Sequence, residues 1–232
     1  MELLKVNIEQ AGYEERGDVV SNVAFSLEAG QLVGLIGPNG AGKSTTIKAI
    51  LGLLKRTSGE IVFSGPQGTY AYIPEHPILY EELTLWEHLE LAAAAYGLGE
   101  QAFRERAGEL LAQFRLSHAR DQLTTSFSKG MQQKVMLILG FLTKPDVYIV
   151  DEPFIGLDPK ATRELLDTLN GERKRGAAIL MSTHVLDTAE RICDSFILLD
   201  GGRTVAQGDL EHIRQACGMP EATLFECFHA LT

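Results

Sequence analysis

The stretch "GPNGAGKST", Gly37 to Thr45, constrains this chain more than any other, because it directly follows the short apolar run "LVGLI". A buried strand that runs into glycines and then into a Lys-Ser-Thr helix start predicts a strand–loop–helix unit. The residues Gly37, Pro38, Asn39, Gly40, Ala41, Gly42, Lys43 and Ser44 fit G-x-x-x-x-G-K-[ST] in full, and Thr45 completes the loop. Such glycines let backbone N–H groups turn inward on phosphates, and the helix N-terminus adds a favourable field. Lys43 is expected to reach the β and γ phosphates, and the Ser44 hydroxyl to ligate Mg²⁺. A plain glycine turn before a helix is the alternative, and the strand-loop-helix context argues against it.

Hydrophobic patterning orders the rest. "LLKVNI" and "VVSNVAFSLEAG" read as strands, then a helix from about residue 43 to 54, then strands near 60–63 and 69–73. From Thr84 the character changes: Thr84 with Glu87 three places on is a capping box that opens a helix. "QAFRERAGELLAQFRL" and "KGMQQKVMLILGFL" are two further amphipathic helices. A helical subdomain over residues 75–143 is thus expected, inserted into a nucleotide-binding core of 1–74 and 144–208. "VYIVDEP" and "AAILMSTH" are buried strands, each followed by a helix; "SFILLDGGRTVAQG" is a hairpin turning at Asp200-Gly201. Residues 209–232 form a helical tail. The alternation predicts one α/β domain with a mainly parallel sheet and antiparallel strands at the start.

Four further places carry chemistry. Asp151 and Glu152 end the apolar strand "VYIVD", where α/β sheets place ligands. Beside a phosphate loop, Asp151 is assigned to Mg²⁺ and Glu152 to the attacking water. His184 ends the next strand; a lone histidine is ordinarily a cap or surface residue, but this position favours a role at the γ-phosphate. Tyr13, expected in a turn after the first strand, offers a flat ring for stacking on adenine, with simple packing as the alternative. "FSKGMQQKV" sets Ser128, Lys129 and Gly130 at a helix start, a second anion site. The chain's own nucleotide already has a loop, a lysine and a magnesium site, so this one suits a nucleotide held by another molecule; a plain serine cap is the alternative.

Composition excludes several classes. A formal charge of -10 argues against a protein coating nucleic acid. No signal peptide is visible in "MELLKVNIEQ", and the longest apolar run, "VMLILGFL", is far below a membrane span. Cys193, Cys217 and Cys227 have no metal-ligand spacing and leave an odd count, so a reduced cytosolic setting and a packing role are expected.

The ordered set GPNGAGKS, YIPE, FSKGMQQ, YIVDEP, GLD and STH resembles the nucleotide-binding domain of ABC transporters, over essentially the whole chain. More narrowly, "YIPEHPILYEELTLWEHLELAAAAYGL" and "LMSTHVLDTAERICDSFILL" resemble the ATP-binding subunit of bacterial Ecs-type transporters. The resemblance implies a P-loop NTPase fold of ABC type: a mixed core sheet, an N-terminal antiparallel β region and an inserted helical subdomain. It implies a head-to-tail pair of chains, expected to be a homodimer, with two ATP molecules sandwiched between them. Ser128 and Gly130 of one chain would cap the ATP on the other's loop, and Asp158 would cross the seam. Hydrolysis at Glu152 would then drive separate membrane-spanning permease subunits that dock between Glu75 and Leu91, where Ile78, Leu79, Leu83, Leu85 and Trp86 cluster; packing of the helical subdomain is the alternative for these residues, and holds for some of them. The chain would lie in the cytoplasm, peripheral on the inner face of the cell membrane. The alternative is a soluble ABC-type ATPase acting on ribosomes or nucleic acid, and the acidic balance disfavours it. Three positions depart from the family pattern: Lys129 and Met131 replace a glycine and the glutamine of the signature. Glu75 stands where the family has the glutamine that links Mg²⁺ and the γ-phosphate to the membrane subunit.

Overall fold

A computed structural model describes residues 1–15 and 17–232. In chain order the elements are β1 (Glu2–Tyr13), β2 (Gly17–Glu28), β3 (Leu32–Ile36), α1 (Lys43–Ile50), β4 (Arg56–Phe63) and β5 (Tyr70–Ile73). Next come α2 (Leu85–Ala95), α3 (Glu100–Gln113), α4 (Lys129–Leu142), β6 (Val147–Asp151), α5 (Pro159–Arg175) and β7 (Ala178–Thr183). The chain closes with α6 (Leu186–Ile192), β8 (Ser195–Asp200), β9 (Arg203–Gly208), α7 (Leu210–Cys217) and α8 (Leu224–Leu231).

A six-stranded sheet of order β5-β6-β7-β3-β8-β9 forms the centre, and a separate sheet of order β2-β1-β4 covers part of it. The first five strands of the central sheet run parallel and β9 returns antiparallel, whereas β1 pairs antiparallel with both neighbours. The expected mixed core and antiparallel N-terminal region are both present. Side chains alternate along the central strands. Tyr148, Val150, Ile179 and Met181 face the helical subdomain and meet Phe114 and Phe141. Val147, Ile149, Ala178 and Leu180 face the other way, against α1 and the antiparallel sheet. Burial of both faces explains why β6 and β7 read as continuous apolar runs rather than as alternating ones.

Three boundaries differ from the sequence reading. Helix α1 stops at Ile50 rather than near residue 54, because Leu51 caps it and Gly52 follows in the left-handed region at φ 68°. Strand β4 starts at Arg56, since pairing with β1 extends it beyond its apolar end. Tyr13 is the last residue of β1, not a turn residue. That strand changes phase part-way: Leu4, Val6 and Ile8 are buried, Glu9 and Gln10 are both exposed, and Ala11 is buried again. The change coincides with a register shift between Ile8 and Gln10 against β4.

The helical subdomain is held by caps and by a polar seam. Thr84 accepts from Glu87 N and its own N–H donates to Glu87 Oε2 at 2.7 Å, so the expected capping box is formed. The seam joins α3 and the turn after it to α5: Arg106 donates to Glu172 at 3.0 Å, Gln113 to Thr168 at 2.7 Å, and Arg115, just past α3, pairs with Glu164 at 3.2 Å. Glu164, Thr168 and Glu172 recur every four residues and so share one face of α5. Glu172 is buried and also takes Arg175 at 2.7 Å. Among the apolar residues expected to form a docking surface, Leu85 is fully buried in the subdomain core, and Leu79 and Trp86 pack against it. Ile78, Tyr80 and Leu91 are the large apolar side chains left exposed there.

Candidate active site

The register of the central sheet brings the motif-bearing strand ends together. Ile73 lies opposite Val150, Asp151 opposite Ser182, and Ile36 opposite Thr183. Glu75, the Asp151–Glu152 pair, His184 and the loop after Ile36 therefore emerge along one edge, from four adjacent strands. This is where open α/β sheets bind ligands.

The loop is shaped by what its glycines permit. Gly42 sits at φ 105° as the residue before α1, and a Cβ there would come 2.9 Å from Val20. A Cβ on Gly37 would run into the Leu199 carbonyl. No acidic residue occupies the first turn of α1, which leaves its positive end open to an anion. Lys43 is 7% exposed; it donates to the Gly37 carbonyl at 2.7 Å and lies 3.6 Å from Glu152.

Glu152 is held by both its backbone and its side chain. Its φ of 45° lies in the left-handed region, which costs a non-glycine residue of order 1–3 kcal/mol. Its N–H donates to both the carbonyl and the hydroxyl of Ser182, at 3.2 and 3.1 Å, which holds the turn. The turn aims its carboxylate outward, and His184 Nδ1 lies 2.9 Å from Oε1. Asp151, one residue earlier, points back into the sheet. It accepts from the Ser182 hydroxyl and from Tyr72 OH at 3.5 Å. Burial holds its carboxyl above the usual carboxylate range, and the negative charge of Glu75 adds to this, against the hydrogen bond from Ser182. Tyr72 is in turn pushed up by burial and by Asp151.

A cleft of about 940 Å³ opens over this edge. Tyr13, Pro38, Asn39, Gly40, Gly42, Lys43, Ser44, Thr45, Glu75, Glu152 and His184, all singled out from sequence, line it together with Lys48. Lys48 lies 5.6 Å from the Tyr13 ring centre and donates to its hydroxyl at 3.4 Å. Gly37, Ala41 and Asp151 lie beneath the lining rather than in it. Three expected site residues are elsewhere among the described residues. Ser128 caps α4, accepting from Met131 N at 3.3 Å, and Gly130 approaches the Gly156 carbonyl. Asp158 caps α5, accepting from Lys160 and Ala161 N–H groups at 2.9 and 2.8 Å; the Ala161 bond is the largest cause holding its carboxyl below the usual range. The sequence reading missed Ser182, Tyr72 and Lys48. Only Ser182, in "MSTH", had a signal, as a hydroxyl two residues before the histidine.

The family described as ABC transporter matches residues 20–155, more than half of the chain. This chain belongs to the ABC transporter family. It is 52% identical over 227 residues to the uncharacterized ABC transporter ATP-binding protein YthP of Bacillus subtilis, covering 98% of this chain and 95% of that one. It is 49% identical over 241 residues to the ABC-type transporter ATP-binding protein EcsA of the same organism, covering 100% and 97%. The solved structure of an ATP-binding subunit of an ABC transporter superposes with a TM-score of 0.93 at 47% identity, over 99% of each chain. ABC ATP-binding domains bind nucleotide and hydrolyse ATP to power transport, and the chain is an ATPase of this kind. The similarity to an Ecs-type subunit expected from sequence is present over the full length, and both named relatives are transporter subunits, so the ribosome or nucleic-acid alternative has no support. No helix among the described residues is long and apolar enough to cross a membrane.

Proposed function

We propose that the chain binds ATP with Mg²⁺ in the cleft above the sheet edge, pairs with a second ATP-binding subunit, expected to be another copy, and drives permease subunits through Glu75 and its surroundings. One observation carries the chemistry: the Glu152 carboxylate is held between Lys43 and His184 at the mouth of the phosphate loop. A carboxylate so placed accepts a proton from water attacking the γ-phosphate, while Lys43 answers the charge on the β and γ oxygens. His184 orients Glu152, its Nδ1 lying 2.9 Å from Oε1.

Ser44, Asp151 and Glu75 offer only hard oxygen donors, the set that suits Mg²⁺. The fit has a physical sign in Asp151, whose ionisation is opposed by burial and by Glu75, so a cation beside both relieves the penalty. Mg²⁺ bound there would neutralise phosphate charge and polarise the γ-phosphate. The protein's own part is to present the oxygens, exclude bulk water and hold Glu152 in a strained turn that aims one carboxylate away from the other. Tyr13 and Lys48 at the lip give the adenine a ring to stack on and a nearby cation.

The pairing of chains is supported by where Ser128, Gly130 and Asp158 lie. Ser128 and Asp158 are exposed at helix starts, yet none of the three lines the cleft of its own chain. A second copy would bring them to it. Docking of the membrane subunits is supported by Ile78, Tyr80 and Leu91, exposed beside the segment that leaves Glu75. Such docking would keep the chain at the cytoplasmic face of the membrane.

Detergent extraction of cells carrying the tagged chain is expected to bring down a multi-spanning membrane protein. Recovery with ribosomes or DNA instead would overturn the transporter reading. Glu75→Gln is expected to change the stimulation of ATPase by the membrane partner more than basal ATPase. A larger loss of basal activity would count against a coupling role.

A further inference from the structure

Two of the three cysteines were expected only to pack, yet they meet. Cys217 is the last residue of α7 and Cys227 lies on the following helix, α8; their sulfurs are 3.1 Å apart. The contact is built from both sides. Gly218 ends α7 at φ 71°, and Arg214 reaches across the connector to the Ala222 carbonyl at 2.7 Å. The Thr223–Glu226 capping box then fixes the start of α8, and Glu190 on α6 accepts the Leu224 N–H at 2.7 Å. Cys227 is fully buried beside Phe196, Leu198, Ile213 and Leu224, whereas Cys217 is half-buried. Cys193 provides the contrast: it is packed under β3, close against Gly34, and burial pushes its thiol up to about 12.

We propose that Cys217 and Cys227 form a reversible dithiol–disulfide site, taking low-molecular-weight disulfides as its oxidant. The asymmetry of the pair sets the order of events. Burial, with the Cys217 thiol beside it, pushes the Cys227 thiol up to about 11, so it is a poor first nucleophile. Cys217, the less buried of the two, attacks one sulfur of the small disulfide as its thiolate; that S–S bond breaks, a mixed disulfide forms, and the departing thiolate takes up the proton given up by Cys217. Cys227, already in contact, then attacks the Cys217 sulfur and releases the second small thiol, which takes the Cys227 proton. The sum is one small disulfide and two protein thiols giving one protein disulfide and two small thiols, with two electrons leaving the protein. The bond would tie α7 to α8, and through Leu224 and Glu190 to α6, which begins two residues after His184.

The test uses the full chain, purified reduced, incubated with oxidised glutathione, and denatured directly in N-ethylmaleimide before mass analysis. The reduced chain takes one adduct on each of its three cysteines. The oxidised chain is expected to take one, on Cys193, to yield a single cross-linked peptide joining Cys217 to Cys227, and to regain all three after dithiothreitol. Cys217→Ser, a change at a half-buried helix end, is expected to keep both remaining cysteines as thiols under the same treatment. Retention of three adducts on the oxidised wild-type chain, a stable glutathione adduct at Cys217 with no cross-link, or a disulfide between two chains would each overturn the proposal.

Discussion

Glu152→Gln is expected to lower the rate of ATP hydrolysis by about 10²–10⁴-fold, the range for loss of a positioned general base. The amide keeps the shape of the side chain, and the turn that presents it depends on the backbone N–H and Ser182, not on the carboxylate. What disappears is proton-accepting capacity, together with the charge that faces Lys43 at 3.6 Å and the partner of His184 at 2.9 Å. Removal of a negative group from beside the phosphates leaves ATP affinity intact or improves it. Nucleotide that is bound but not consumed should then hold two chains together. Equilibrium ATP binding, steady-state phosphate release and sedimentation with and without ATP check the three parts. A turnover rate close to that of the parent chain would remove Glu152 from the role of base. Monomers that persist at saturating ATP would count against the two-chain site.

The second large effect is on stability. Glu172→Ala is expected to cost about 3 kcal/mol, at the lower end of the range for breaking a buried ion pair by removing one partner. Glu172 is 6% exposed and is the shared acceptor of Arg106 at 3.0 Å and Arg175 at 2.7 Å. Its loss leaves two guanidiniums in a half-buried seam. Both side chains keep some solvent contact, which is why the lower end applies. The melting temperature should fall by about 6–12 °C for a chain of this length, and Glu172→Gln, which preserves volume and one acceptor, should fall less. A melting curve that matches the parent's would show that the seam between helical subdomain and core contributes little.

Most of the residues that meet at the edge were legible because they sit in short, contiguous signals. A glycine loop after an apolar strand fixed Lys43 and Ser44, and apolar strands ending in polar residues fixed Asp151, Glu152 and His184. The order of the strands then decided whether those ends meet, and adjacent apolar runs carry no record of which neighbours pair. Ser182 escaped notice for the same reason: it matters through Asp151 and the Glu152 N–H on the next strand, a relation of register rather than sequence. The start of β4 was lost because residues 56–60 are exposed and earn their strand geometry from pairing with β1 alone. Within the docking cluster an apolar side chain carries no mark of its direction, so Leu85, buried in the subdomain core at the start of α2, could not be told from Ile78, exposed in the segment before that helix. Contact between Cys217 and Cys227 was invisible in a count of three, because only the turn between α7 and α8 brings them face to face.

The phase change in β1 has a consequence for the lining of the cleft. In a regular strand that buries Leu4, Val6 and Ile8, the inward places further along would fall to Gln10 and Gly12, and the aromatic ring two places beyond Ala11 would point to solvent. One extra residue against β4 exchanges odd for even, and so delivers that ring to the lip of the cleft. Shortening β1 by a single residue near Glu9 is therefore expected to turn the ring away from the cleft, and with it the platform proposed for adenine, while leaving the phosphate loop untouched.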